Sequence, residues 1–186
     1  MLAPPSAPTW PSRPLARPRQ VASLLLSPPG GSLIAELRPD LRAFIETEKA
    51  ALARGDLGDA VEANLTWWVN GPSRGARDVD PTVRELVRQM QRRAFEVTAG
   101  WDDLQERELD PAALDRLTEI RVSTLVLVGS LDLEAVHEAA WRVADGIAGA
   151  RLVNWSDAAH LPSMERPNGF LSLLSDWLVL SEPPSH

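Results

Sequence analysis

Apolar residues along this chain follow two spacings. Three short runs are continuous: Val21 to Ser27 (VASLLLS), Val122 to Val128 (VSTLVLV) and Arg151 to Trp155 (RLVNW). Runs of this length, rich in Val and Leu and closed by Pro-Gly or Gly, predict strands buried on both faces, as in a parallel sheet. Between the first and second runs the spacing becomes helical. Leu41, Phe44, Ile45 and Leu52 fall on one face, with Pro39 suited to a first helical turn and Gly55 to a C-terminal cap. Leu57, Val61, Leu65 and Trp68 mark a second helix, started by Asp56 and Asp59 and stopped by Asn70-Gly71-Pro72. A polar loop from Ser73 to Val79 follows. Asp80-Pro81 then opens a third helix carrying Val83, Leu86, Val87, Met90, Ala94 and Val97, and Asp110-Pro111 starts a short one ending near Leu117. A helical pattern separates the second and third runs. The last helix starts at Pro167 and buries Phe170, Leu173, Leu174, Trp177 and Leu178.

The order is strand, three or four helices, strand, helix, strand, helix. It predicts an α/β fold with residues 21–38 and 118–180 in the sheet layer and 39–117 as a helical insertion. Six prolines between Pro4 and Pro18 leave no periodic pattern, so residues 1–20 are expected to be disordered or extended, and 181–186 form a polar tail.

Composition narrows the function classes. A net charge of −7 disfavours a nucleic-acid partner, and the absence of cysteine removes disulfides and thiolate metal sites. No apolar run approaches the ~20 residues that span a bilayer, and the N-terminus lacks the ~7–15-residue apolar core of a secretory signal. No membrane association, a cytoplasmic location and no cofactor or metal are therefore expected.

The candidate chemistry lies at the C-terminal ends of the second and third strands. Asp132 sits just past Gly129, where the loops of a parallel sheet gather on one edge. A carboxylate there can orient a histidine and stabilise its imidazolium, or merely cap the helix that begins near Glu134. His160 follows 28 residues later, after room for one helix and one strand, so it returns to the same edge. Asp157 is a rival acid but reads as a turn former on the histidine's own loop. His137 reads as a surface residue of the intervening helix, and His186 is terminal.

Gly129 to Asp132 (G-x-x-D), Ala158 to Pro162 (A-A-H-L-P) and Glu165 to Pro167 (E-R-P), in this order, resemble the C-terminal half of the α/β-hydrolase superfamily. The small helical insertion and histidine loop look most like its enol-lactonase-like and C–C hydrolase-like members. The resemblance implies a partial α/β-hydrolase fold, with 39–117 as the cap. It also implies Asp132 and His160 as two members of a Ser-His-Asp triad acting on an ester, lactone or activated carbonyl. Trp67 and Trp68 are read as cap core ahead of ligand contacts.

The family's nucleophile motif, G-x-S-x-G, precedes acid and histidine in chain order and joins a strand to a helix; the pattern occurs once here, at Gly71 to Gly75, but in the polar loop after the second helix and not after an apolar run. Ser32, after Gly30-Gly31, does follow a strand, but one that the family places beyond the nucleophile. Two readings stay open. One is a hydrolase lacking its nucleophile half, inactive alone, whose full form takes a small apolar ester or lactone. The other is a non-catalytic remnant or interaction module. Either way, the strand Val21–Ser27 is expected to present an open sheet edge suited to self-association.

Overall fold

A computed structural model describes residues 21–101 and 109–181, with the side chains of the last two left out. The expectations for residues 1–20 and 182–186 fall outside the described residues. Among those described, three strands form one parallel sheet in the order β1 (Ser23–Leu26), β2 (Ser123–Gly129), β3 (Arg151–Trp155). Leu25 pairs with Leu125, and Val126 with Leu152. All three predicted runs are strands of this sheet, each within two residues of its expected bounds.

The central strand is the most deeply buried element. Leu125, Val126, Leu127 and Val128 are at most 1 % exposed, as expected of a strand covered on both faces. Helix α4 (Glu134–Gly146) makes the crossover from β2 to β3 and turns Ala135, Val136, Ala139, Ala140 and Val143 inward. Helix α5 (Pro167–Ser181) buries Trp177, whose indole N–H donates to Ser123 Oγ at 3.2 Å. Leu178, expected on that buried face, is exposed instead, while Phe170, Leu173 and Leu174 are half-buried.

Between β1 and β2 lies the helical insertion. Helix α1 (Pro39–Ala53) is closed by Gly55, at φ +72°, whose N–H donates to Leu52 O, while Asp56 N–H donates to Ala51 O. Its Leu41 and Phe44 join the core built by Val126, Val136 and Val143. Ala51, not Leu52, takes the last inward position. Helix α2 (Leu57–Asn64) is capped by Asp56, whose Oδ1 accepts from Asp59 N–H at 3.0 Å. The helix does not stop there but widens into a π-helical turn over Leu65–Asn70, a feature with no sequence signature of its own.

Helix α3 (Pro81–Thr98) is capped by Asp80, which accepts from Thr82 N–H at 2.7 Å. Its orientation departs from expectation. Val83, Val87 and Phe95 face inward, but Leu86, Met90, Ala94 and Val97 are exposed. The reason is Arg84, which turns inward to donate to Asn70 Oδ1 at 3.1 Å and to pair with Glu62. A second core of Val61, Leu65, Val69, Val79 and Val87 forms behind it, with Leu161 and Met164 packed against it. The predicted short helix is a 3₁₀ stretch, Ala113–Glu119, that buries Leu117.

Candidate active site

Backbone contacts bring the loops after β2 and β3 together. Ser130 N–H donates to Trp155 O at 2.8 Å, and Leu131 N–H to Ala158 O at 3.0 Å. This approach requires the glycine at 129. A Cβ there would lie 2.2 Å from Ala158 O and 2.4 Å from Ala159 O, well inside contact distance. The glycine of G-x-x-D therefore admits the histidine loop, and the acid three residues on is carried to meet it. The insertion closes against the same place. Gly71, at φ +74°, ends the π-turn where a Cβ would lie 2.0 Å from Leu131 O.

Asp132 and His160 meet. His160 Nδ1 lies 2.9 Å from Asp132 Oδ2, and the carboxylate side chain is wholly buried while the imidazole is 22 % exposed. A carboxylate only accepts, so Nδ1–H is the donor in this contact. Asp132 Oδ1 accepts from Leu133 N–H at 2.7 Å. Asp132 does not cap the helix: the N-cap of α4 is Leu133, which makes no side-chain cap bond. Asp40, at the start of α1, accepts from Glu134 N–H at 3.0 Å and binds a further free donor of that helix.

The insertion supplies the other side of the histidine. His160 N–H donates to Trp68 O at 3.2 Å, and the two rings lie with centroids 4.1 Å apart at 44°. Trp68 in turn meets the Phe44 ring edge-on at 5.0 Å. Both Trp68 and His160 line a cavity of about 820 Å³ whose wall includes Ile34, Leu41, Phe44 and Ser32. Trp67 and Trp68 both pack against the core, and Trp68 lines the cavity as well.

The remaining candidates lie elsewhere. Asp157 pairs with Arg166 at 2.8 Å on the surface. His137 is half-buried instead of a plain surface residue, because its Nε2–H donates to Gly129 O at 2.8 Å. It thereby fixes the end of β2. Two residues that bear on the site carried no role in the sequence: Arg74, in the polar loop, and Glu165. Glu165 Oε1 accepts from Ala159 N–H at 2.7 Å, and Oε2 from Arg74 Nη2 at 2.7 Å. The E-R-P run was a signal for Glu165; nothing in the loop marked Arg74. Among the described residues, no group of three or more His, Asp or Glu side chains is arranged to hold a metal ion. No described helix is long and apolar enough to cross a membrane.

No family model matches the chain, and no curated protein matches its sequence. Solved structures do match. One, described as an N-acyl homoserine lactone degrading enzyme, superposes with a TM-score of 0.61 at 25 % identity over 87 % of this chain and 60 % of that one. A thermophilic esterase from Thermogutta terrifontis gives 0.60 at 25 % identity, over 87 % of this chain and 57 % of that one. The enol-lactonase from Burkholderia xenovorans gives 0.51 at 23 %, over 74 % of this chain and 50 % of that one. The chain has a partial α/β-hydrolase fold. It spans about three-fifths of the length of the first two structures. Within that fold, β2, α4 and β3 carry Asp132 and His160 at the C-terminal sheet edge, and the insertion lies over that edge through Trp68.

Proposed function

We propose that this chain carries the acid and the histidine of a Ser-His-Asp hydrolase of esters, lactones or activated carbonyls. The observation that carries the reading is the 2.9 Å contact between His160 Nδ1 and a wholly buried Asp132 carboxylate, at the wall of an apolar cavity. In this reading His160 Nε2 takes the proton of a serine hydroxyl as it attacks the carbonyl. The imidazolium so formed is stabilised by Asp132, then returns the proton to the leaving group. A water molecule, activated by the same nitrogen, releases the acyl group.

The cavity, at about 820 Å³, lies in the range of small-molecule sites, and its Ile34, Leu41, Phe44 and Trp68 walls suit an apolar substrate. The similarity to an esterase and to lactone-acting proteins supports the same class. The nucleophile and oxyanion donors are proposed to come from a segment outside these 186 residues, because the one G-x-S-x-G within them, Gly71 to Gly75, follows the π-turn Leu65–Asn70 and not a strand. Reading the coding DNA upstream of Met1, in all frames, tests this. A G-x-S-x-G after an apolar run is expected there. Many-fold turnover of a p-nitrophenyl ester by the 186-residue chain itself, lost on His160→Ala, would contradict it.

A further inference from the structure

Three successive carbonyls end the π-turn, at Trp68, Val69 and Asn70, where a helix leaves its last acceptors without partners of its own. Each is taken up by the histidine loop or by what holds it. Trp68 O accepts from His160 N–H. Val69 O and Asn70 O each accept from Arg74, through Nη2 and Nε, at 2.8 Å. The same guanidinium pairs with Glu165, and Glu165 takes Ala159 N–H. A closed circuit results, in which two consecutive backbone donors beside the imidazole are both held: Ala159 by the carboxylate and His160 by the helix end.

We infer that Arg74 and Glu165 are positioning residues that lock the loop of His160 to the end of the helical insertion. Arg74 and Glu165 side chains are 15 % and 8 % exposed, and an ion pair so placed adds little net stability over an apolar pair of equal shape. What it adds here is geometry. It makes two bonds to the helix end and one to the acid, and a bidentate-capable guanidinium resists sliding where an ammonium does not. A displacement of about 1 Å at a reacting group can cost on the order of 10²-fold in rate, so fixing both amides beside the imidazole bears on chemistry. The insertion is then no free lid. It is part of the support of the histidine.

The inference rests on reading His160 as the triad histidine, but its test reads the imidazole directly and does not require turnover. In the ¹⁵N-labelled chain, long-range ¹H–¹⁵N spectra report which ring nitrogen carries the proton. The wild type is expected to show His160 as the Nδ1–H tautomer, with slow exchange of that proton. Arg74→Met, which keeps an unbranched side chain but removes the guanidinium, is expected to give a mixture of tautomers and exchange faster by about tenfold, the loss of a charged hydrogen bond. The His137 Nε2–H signal serves as internal reference and should not move. Arg74→Lys should restore the single tautomer in part.

Unchanged His160 signals in a folded Arg74→Met would overturn the inference, leaving the pair a purely structural one. If Arg74→Met fails to fold, Glu165→Gln keeps shape and an acceptor for Ala159 N–H while removing the ion pair, and carries the same expectation. The wild type alone gives a further check: Ala159 and His160 amides should exchange at least about a hundredfold slower than the neighbouring turn amides of Ser156 and Asp157. Equal rates would also overturn it.

Discussion

At the scale of single residues, the site depends on two glycines and one buried carboxylate. Gly129→Ala would drive a methyl into the carbonyls of Ala158 and Ala159, which are backbone and cannot turn aside. We expect a loss of about 1–3 kcal/mol in urea unfolding, the usual range for an overpacked core. The His160 tautomer signal should change with it, because the same carbonyls belong to the histidine loop. Gly100→Ala is the matched control, since nothing lies within 4 Å of a Cβ there; it should change stability by less than about 0.5 kcal/mol. That Asp132 and His160 meet could be anticipated in the sequence, because each lies just past the C-terminal end of a strand of one parallel sheet. Arg74 could not. It bonds carbonyls whose exposure depends on a π-turn, and no local pattern in Leu65–Asn70 distinguishes a π-turn from a continued α-helix.

Among elements, the strands and helix starts were legible because local chemistry decides them: Asp56 and Asp80 at N-caps, Gly55 at a C-cap, Val and Leu in β2. The rotation of α3 was not. Its apolar residues spread over more than one face, and the choice between faces is made by Arg84, which finds Asn70 and Glu62 only after α2 and α3 pack. This junction has a pH signature. Burial alone would push the Glu62 carboxyl up, but hydrogen bonds and charge from Arg84 and Arg88 outweigh it, and the group sits below its ordinary value of 4.5. A carboxyl depressed in the folded state adds stability that is present above its unfolded value. That contribution is lost as the pH falls through the folded value. Glu62 is half-exposed, so the contribution is modest, about 0.2–1 kcal/mol. Urea midpoints of the wild type and Glu62→Gln should therefore differ at pH 7 and converge near pH 3. A gap that persists undiminished at the lower pH would show that the side chain acts through packing instead of charge.

For the whole molecule, the sheet is asymmetric. β2 is buried throughout most of its length, whereas β1 is only half-buried at every position and has a described partner on one side only. An edge without a partner presents backbone N–H and C=O groups, here beside leucines, and favours pairing with another chain. We propose association through this edge, and expect concentration-dependent elution in size-exclusion chromatography. A sharp, cooperative melt from a species that stays monomeric at every concentration would contradict it. An open edge is an expectation from the sequence, and among the described residues β1 pairs with β2 alone. What occupies that edge was not legible, since pairing partners of an edge strand leave no mark on the strand itself. The central claim, that this chain supplies the acid and base of a hydrolase, is tested most directly by turnover after the chain is joined to a nucleophile-bearing segment encoded upstream of it. The account predicts hydrolysis of a p-nitrophenyl ester that falls on the order of 10⁴-fold in Asp132→Asn and 10⁶-fold in His160→Ala. Hydrolysis by the joined protein that survives both substitutions would contradict it.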